Sequence, residues 1–309
     1  MKVLLFGGTG FIGRNLSEEL LANGYQVFVV TRNRQTITKD LADKVQIIEW
    51  DNISVLPSVN GLQDADVVIN LAGESLANHR WSDSVKEQIM DSRIRTTQAI
   101  VTAINNRIMQ PKVLINASAV GYYGFRQNEE ITEVGTTGQD FLAQVCQKWE
   151  SEAYKVQSNL ARVVTMRIGV VLGREGALAR MKMPFRFYLG GKLGTGKQYI
   201  SWIHINDLTR MIRFVIEHQE LIGPINMTAP QPVTMGDFCS VLGEVMHKPC
   251  WLPVPEILLK IALGQMAEML VYGQRVSPKK IRDAGFEFRF KELKSALEEV
   301  IVKERSRMK

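Results

Sequence analysis

Short, unbroken apolar runs alternate with helically spaced apolar positions through the first half of this 309-residue chain. Val3–Phe6, Gln26–Thr31, Val45–Trp50, Asp66–Leu71, Val113–Ala117 and Arg162–Ile168 are rich in β-branched residues and predict six strands. Between them, 11–23, 82–105 and 140–157 carry helical patterns, the first with Leu16, Leu20 and Leu21 and a natural stop at Gly24. Strands apolar on both faces belong in a parallel sheet covered on both sides. Right-handed crossovers then give a doubly wound α/β fold. Beyond Gly173 the rhythm breaks. A glycine-rich loop spans 190–197, prolines gather between 224 and 255, an apolar helix is predicted over Ile257–Tyr272, and an amphipathic one over 291–305. The expected organisation is a first domain over 1–173, rejoined by segments at 200–230, and a smaller, mainly helical region over 174–309.

Composition narrows the class. Apolar residues make up 45% and charged residues 23%, ordinary for a globular chain. No apolar run approaches the roughly 18 residues of a membrane span. The opening apolar run stops at Gly7, which reads against a secretory leader. Three cysteines without metal-ligand spacing predict a reducing, cytoplasmic setting. Net charge is +6, but 275–309 alone holds 11 basic and 6 acidic residues. A solvated helical tail explains that excess better than a nucleic-acid stripe, which would interleave with aromatics. The expected partner is a small molecule, with no nucleic acid and no membrane; a homodimer stays open.

The strongest motif is Gly7-Gly8-Thr9-Gly10-Phe11-Ile12-Gly13, which follows a strand and opens a helix. Glycine permits the sharp turn and lets a diphosphate approach bare backbone. The helix start offers unpaired N–H groups and a positive dipole end. A plain tight turn is the competing reading. After the second strand come Thr31-Arg32-Asn33-Arg34, with no acid before Asp40. A carboxylate there would bond a ribose 2′-hydroxyl. A guanidinium instead grips a 2′-phosphate, so the cofactor predicted is NADP(H). Solvated loop charge is the alternative for Arg32 and Arg34.

These segments resemble the extended (atypical) short-chain dehydrogenase/reductase superfamily, of the NAD-dependent epimerase/dehydratase kind. The resemblance also rests on Asn70-Leu71-Ala72-Gly73, Ser118-Ala119-Val120-Gly121-Tyr122-Tyr123-Gly124, Arg167–Gly173 and Trp202-Ile203-His204-Ile205-Asn206-Asp207. More narrowly, the chain is similar to epimerase-family proteins of the SDR39U1 type, which carry their own C-terminal domain. The resemblance implies a Rossmann domain holding NADP(H) and an oxidoreductase or epimerase-like activity on a small carbonyl or hydroxyl compound. It assigns the diphosphate to Gly7, Thr9, Gly10, Phe11, Ile12 and Gly13, and the ribose phosphate to Thr31 and Arg32. It assigns the second ribose to Leu71, Ala72, Gly73 and Glu74 and the nicotinamide to Val170, with Asp51 either an adenine contact or a solvated turn residue.

The superfamily's chemistry needs a serine or threonine and a Tyr-x-x-x-Lys pair on one helical face. The lysine lowers the tyrosine pKa, and the tyrosine then moves the proton. This chain departs from that pattern. A gap-free match puts the pair on Gln144 and Lys148 and the serine on Ala119, beside Ser118. Tyr188 and Lys192 have the right spacing but lie in a glycine-rich loop, where chance explains them. The candidates for catalysis are therefore Ser118, Tyr122, Tyr123 and Lys148, with one tyrosine packed in the core as the competing reading. Arg80 and Arg93 are anion contacts or solvated helix charges. The loop at 190–197 lacks the hydroxyl of a phosphate-binding P-loop and is expected to act as a lid. The alternative function is an inactive NADP(H)-binding sensor or scaffold.

Overall fold

The structure, a computed structural model, describes residues 1–50, 62–77, 79–126 and 128–307. Its centre is a parallel sheet of β1 (Lys2–Phe6), β2 (Gln26–Thr31), β3 (Gln46–Glu49), β4 (Val67–Asn70), β5 (Val113–Ala119), β6 (Arg162–Ile168) and β7 (Gly223–Met227). The strand order is β7-β6-β5-β4-β1-β2-β3. The chain moves outward from β1 to β3, then returns to the other side of β1, where Phe6 is in register with both Val30 and Asn70. At such a reversal the connections leave in opposite directions, and a crevice opens at the carboxyl ends of the strands.

The main helices are α1 (Phe11–Ala22), α2 (Asp83–Asn105), α3 (Phe141–Ala153), α4 (Ala177–Arg186), α5 (Ile205–Glu217), α6 (Met235–Met246), α7 (Glu256–Leu263) and α8 (Leu293–Arg307). Alternation along β1 sends Val3 and Leu5 to one face, with Leu16 and Leu20 of α1 and Leu208 and Met211 of α5. It sends Leu4 and Phe6 to the other, with Ile100 and Ile104 of α2 and Ala153 of α3. Both faces are buried, which is why the strand is apolar throughout. A second core forms beyond β6. There the short parallel pair Val170–Leu172 and Trp202–His204 meets α4, α6 and α8 around Trp202, Phe185, Phe238 and Leu297.

Three features differ from the sequence-based expectation. First, β7 is a sheet strand although its sequence, GPINM, opens on Gly and Pro. It lies at the sheet edge beside β6, where a missing N–H is tolerated. Second, the helix expected over 257–272 is broken. Gly264 adopts φ +62, and a 3₁₀ turn separates α7 from the short helix Glu268–Val271. Third, the 190–197 loop is stitched down rather than free. The N–H groups of Trp251 and Leu252 donate to Gly190 O, that of Val254 to Lys192 O, and that of Gly194 to Val254 O. A Cβ on Gly191 would lie 1.7 Å from Leu252 O, so only glycine lets these two segments touch. Four backbone hydrogen bonds thus join the loop to 251–254.

Candidate active site

At the end of β1 the chain turns at Gly7, whose φ is +76, and a Cβ there would stand 2.7–2.9 Å from the backbone of Leu71 and Ala72. A Cβ on Gly13 would stand 2.4 Å from Gly7 O. Both glycines are thus required by the chain's own packing. Gly10 is different: a Cβ there would meet only Gly7 O, at 3.4 Å. The space in front of Gly10 is open cleft, so the chain's own packing does not require glycine at that position. Gly10 also caps α1 without a side-chain bond, and the first turn holds no acidic residue. The first-turn amides have no carbonyl of their own helix to bond, and Gly10, at the positive dipole end of α1, lines the cleft.

The cleft encloses about 360 Å³ and runs along the carboxyl edge of the sheet. Thr31, Arg32, Asn33 and Trp50 form one end, Gly7, Thr9 and Gly10 the middle, and Leu71–Glu74 with Ser92 and Thr96 the other end. Nine of the predicted cofactor residues therefore meet in one place: Gly7, Thr9, Gly10, Thr31, Arg32, Leu71, Ala72, Gly73 and Glu74. Phe11, Ile12 and Gly13 stand behind this lining. The Phe11 ring fills the space over Gly173, where a Cβ would come within 2.3 Å of it. Val170 is half-buried on the short strand of the second core and does not line the cleft. Asp51 lies outside the described residues.

Arg32 is exposed, and among the described residues it makes no hydrogen bond or ion pair. Its neighbours are fixed: Thr31 Oγ1 donates to Asn33 O at 3.1 Å and accepts from Asn33 N at 3.3 Å. Arg32 and Glu74 are the titratable side chains among the lining residues. Trp50, Asn33, Ser92 and Thr96 were not anticipated from sequence. Trp50, stacked edge-on against Phe6 at 5.4 Å, had a signal: it follows the third strand at its carboxyl end, where ligands gather. Ser92 and Thr96 had none, because their helix approaches the cleft only through packing.

The proposed catalytic side chains do not line this cleft. Ser118 is buried, and its Oγ donates to Glu150 Oε1 at 2.6 Å. Glu150 is held by Arg167 through two 2.9 Å bonds, from Nε to Oε1 and from Nη2 to Oε2. Arg167 Nη1 also donates to the Tyr123 hydroxyl at 3.0 Å, and that hydroxyl donates to Asn226 Oδ1 at 2.6 Å. Tyr123 is fully buried, and burial pushes its pKa up to about 12. It is the tyrosine packed in the core. Tyr122 is half-buried, with the Arg167 guanidinium 3.5 Å from its ring centroid. Lys148 is exposed and borders a shallow groove with Ile94, Gln147 and Ser151 on the outer side of α2 and α3.

A family model, the NAD dependent epimerase/dehydratase family, matches residues 3–227. This chain belongs to that family. A second model, Domain of unknown function (DUF1731), matches residues 254–300 of this epimerase-family chain. Epimerase family protein YfhF of Bacillus subtilis is 40% identical over 303 residues, covering 97% of this chain and 98% of the relative. The chloroplastic SDR39U1 homolog of Arabidopsis thaliana is also 40% identical, covering 97% of this chain and 87% of the relative. The crystal structure of human epimerase family protein SDR39U1 with NADPH superposes with a TM-score of 0.87 at 34% identity, covering 97% of this chain and 99% of that one.

In this epimerase-family chain, the face that α3 turns inward is decided by packing. Gln144 and Lys148, the gap-free positions for the tyrosine and lysine, are both exposed. Leu142 and Cys146, two residues earlier, face the protein. Leu142 Cβ would be 3.4 Å from a Cβ on Gly121, and the Cys146 thiol is buried beside Ser118. Burial raises the Cys146 pKa to about 11, so the thiol is inert. The inward i, i+4 pair is therefore apolar, and α3 offers no proton-transfer group there.

Proposed function

We propose that this protein is an NADP(H)-dependent oxidoreductase of the epimerase type, acting on a small carbonyl or hydroxyl compound seated beyond Glu74. The observation that carries the reading is the cleft itself. A glycine turn leaves room for a diphosphate at Gly10, and an unpaired guanidinium stands at Arg32 with no carboxylate among the lining residues at that end. The NADPH in the human relative's structure supports the same cofactor here. When bound, the nicotinamide supplies the hydride chemistry. The chain's own residues position it: Thr31 and Arg32 take the phosphorylated ribose, Gly10 and the first turn of α1 the diphosphate, and Leu71–Glu74 the second ribose. The substrate region is assigned to 174–309. Arg180 Nη1 donates to Ala77 O and Arg80 Nη2 to Ile261 O at 3.2 Å, which draws α4 and α7 against the segment following Glu74.

The cofactor choice has a direct test. Arg32→Ala should weaken NADPH by about 1–3 kcal/mol, the loss of a charged hydrogen-bonding partner, and leave NADH nearly unchanged. Equal losses in a fluorescence titration would remove Arg32 as the phosphate ligand. Proton exchange is assigned to Glu74, the carboxyl among the lining residues. Against a panel of carbonyl compounds, Glu74→Gln should lower turnover by about 100-fold or more, the range for a lost general acid or base, with a much smaller loss of NADPH affinity because the amide still bonds the second ribose. Tyr122→Phe should have little effect; the reverse pattern would move the proton to Tyr122.

A second reading, an NADP(H)-binding protein without turnover, is favoured by the apolar pair Leu142 and Cys146. Tight NADPH binding with an inert Glu74 and an inert Tyr122 across the whole panel is its signature.

A further inference from the structure

Resting on the NADP(H) reading above, we propose that Arg93, from α2, supplies the cation at the nicotinamide-ribose end of the cleft that the superfamily's lysine would supply from α3. Cys146 occupies the inward i+4 position of α3, and the Arg93 guanidinium stands 5.2 Å from the ring centroid of Trp149 on the same helix. The guanidinium thus lies between α3 and the cleft wall at Gly73, directly behind the lining residues. Its Nη2 donates to Glu74 O at 3.0 Å and its Nη1 to Ile89 O at 2.9 Å. A Cβ on Gly73 would stand 3.1 Å from its Cζ, so glycine at 73 lets the wall of the cleft rest directly on the guanidinium. Ser92 and Thr96, its neighbours on α2, line the cleft.

Charge balance points the same way. Arg93 is half-buried, yet both of its hydrogen bonds go to neutral carbonyls, and its guanidinium stands 5.2 Å from the Trp149 ring centroid. Among the described residues no carboxylate pairs with it, and burial pulls its pKa below the usual arginine range. A structural arginine in this position would be served as well by a neutral side chain that bonds Glu74 O. Keeping a cation there carries a desolvation cost that a ribose hydroxyl acceptor offsets through a charge-assisted bond. A cation beside the ring also disfavours the positively charged oxidised nicotinamide and favours the neutral reduced one.

The experiment uses the full-length protein and three probes: NADPH, NADP⁺ and 2′,5′-ADP, which carries only the adenosine half. Arg93→Gln keeps a donor for Glu74 O but removes the charge; Arg93→Lys keeps the charge. In Arg93→Gln, NADPH should bind tenfold or more weakly, NADP⁺ should lose less, and 2′,5′-ADP should be unchanged, which also reports an intact fold. Arg93→Lys should return NADPH affinity to within about threefold of wild type. Unchanged NADPH affinity in Arg93→Gln, equal losses for NADPH and NADP⁺, a parallel loss of 2′,5′-ADP, or no recovery in Arg93→Lys would each overturn the assignment. Failure of the unaltered protein to bind 2′,5′-ADP would instead sink the NADP(H) reading on which it rests.

Discussion

Truncating Glu150 to alanine should destabilise the protein by about 3–5 kcal/mol, the usual consequence of leaving one member of a buried ion pair alone. Both Glu150 and Arg167 have side chains only 4% exposed. Their two 2.9 Å bonds form a planar fork, and the Ser118 hydroxyl occupies a further lone pair of Glu150. Without the carboxylate, Arg167's partners among the described residues are the Tyr123 hydroxyl, the Glu133 carbonyl and the ring faces of Tyr122 and Tyr123. None of these neutralises it. Arg167→Met in the Glu150→Ala background should recover most of the loss, because the penalty lies in the orphaned charge rather than in the missing contact. Urea unfolding of the unaltered protein, Glu150→Ala and the double variant measures this directly. A loss below about 1 kcal/mol for Glu150→Ala, the range of exposed pairs, would mean that water reaches the pair.

Gly13→Ala should act on stability and binding together. The new methyl would sit 2.4 Å from Gly7 O and 2.6 Å from Gly8 Cα, atoms of a backbone that cannot rotate out of the way. Helix α1 has to move off the turn, at a cost of about 1–3 kcal/mol typical of overpacking. The same displacement carries the first-turn amides away from the diphosphate position. NADPH affinity should fall by about tenfold or more, equivalent to at least 1.4 kcal/mol. Gly10→Ala is the contrast. Its φ of −74 suits alanine, and its methyl meets only Gly7 O at 3.4 Å. That variant should keep its melting temperature and lose NADPH binding. If Gly10→Ala binds as well as the unaltered protein, the cleft in front of the turn is not where the diphosphate sits.

The two variants separate two reasons for glycine that the sequence pattern merges. Spacing alone marks 7, 10 and 13 as one motif. In three dimensions Gly7 and Gly13 let backbone meet backbone, while Gly10 leaves room for something else. The 190–197 loop shows the same ambiguity. Its glycines suggested freedom, but Gly191 is there because Leu252 O leaves no room for a side chain.

What the sequence determined by itself is whatever depends on neighbours along the chain. The six apolar runs, the strand–turn–helix at Gly7–Gly13 and the basic Thr31-Arg32 with no acid are local patterns, and the cofactor end of the cleft follows from them. What only the tertiary structure decided depends on helix phase and on contacts between distant segments. A shift of two residues turns a helix by about 200°, so the gap-free match fell on the exposed Gln144 and Lys148, while packing turned Leu142 and Cys146 inward. Tyr122 and Tyr123 are adjacent and chemically identical, yet only Tyr123 meets Asn226, 103 residues away. β7 is a strand because β6 offers it an edge, against its own composition. Arg93 supports the cleft wall because α2 packs beneath Gly73 and Glu74, a proximity of side chain to distant backbone that no local pattern records.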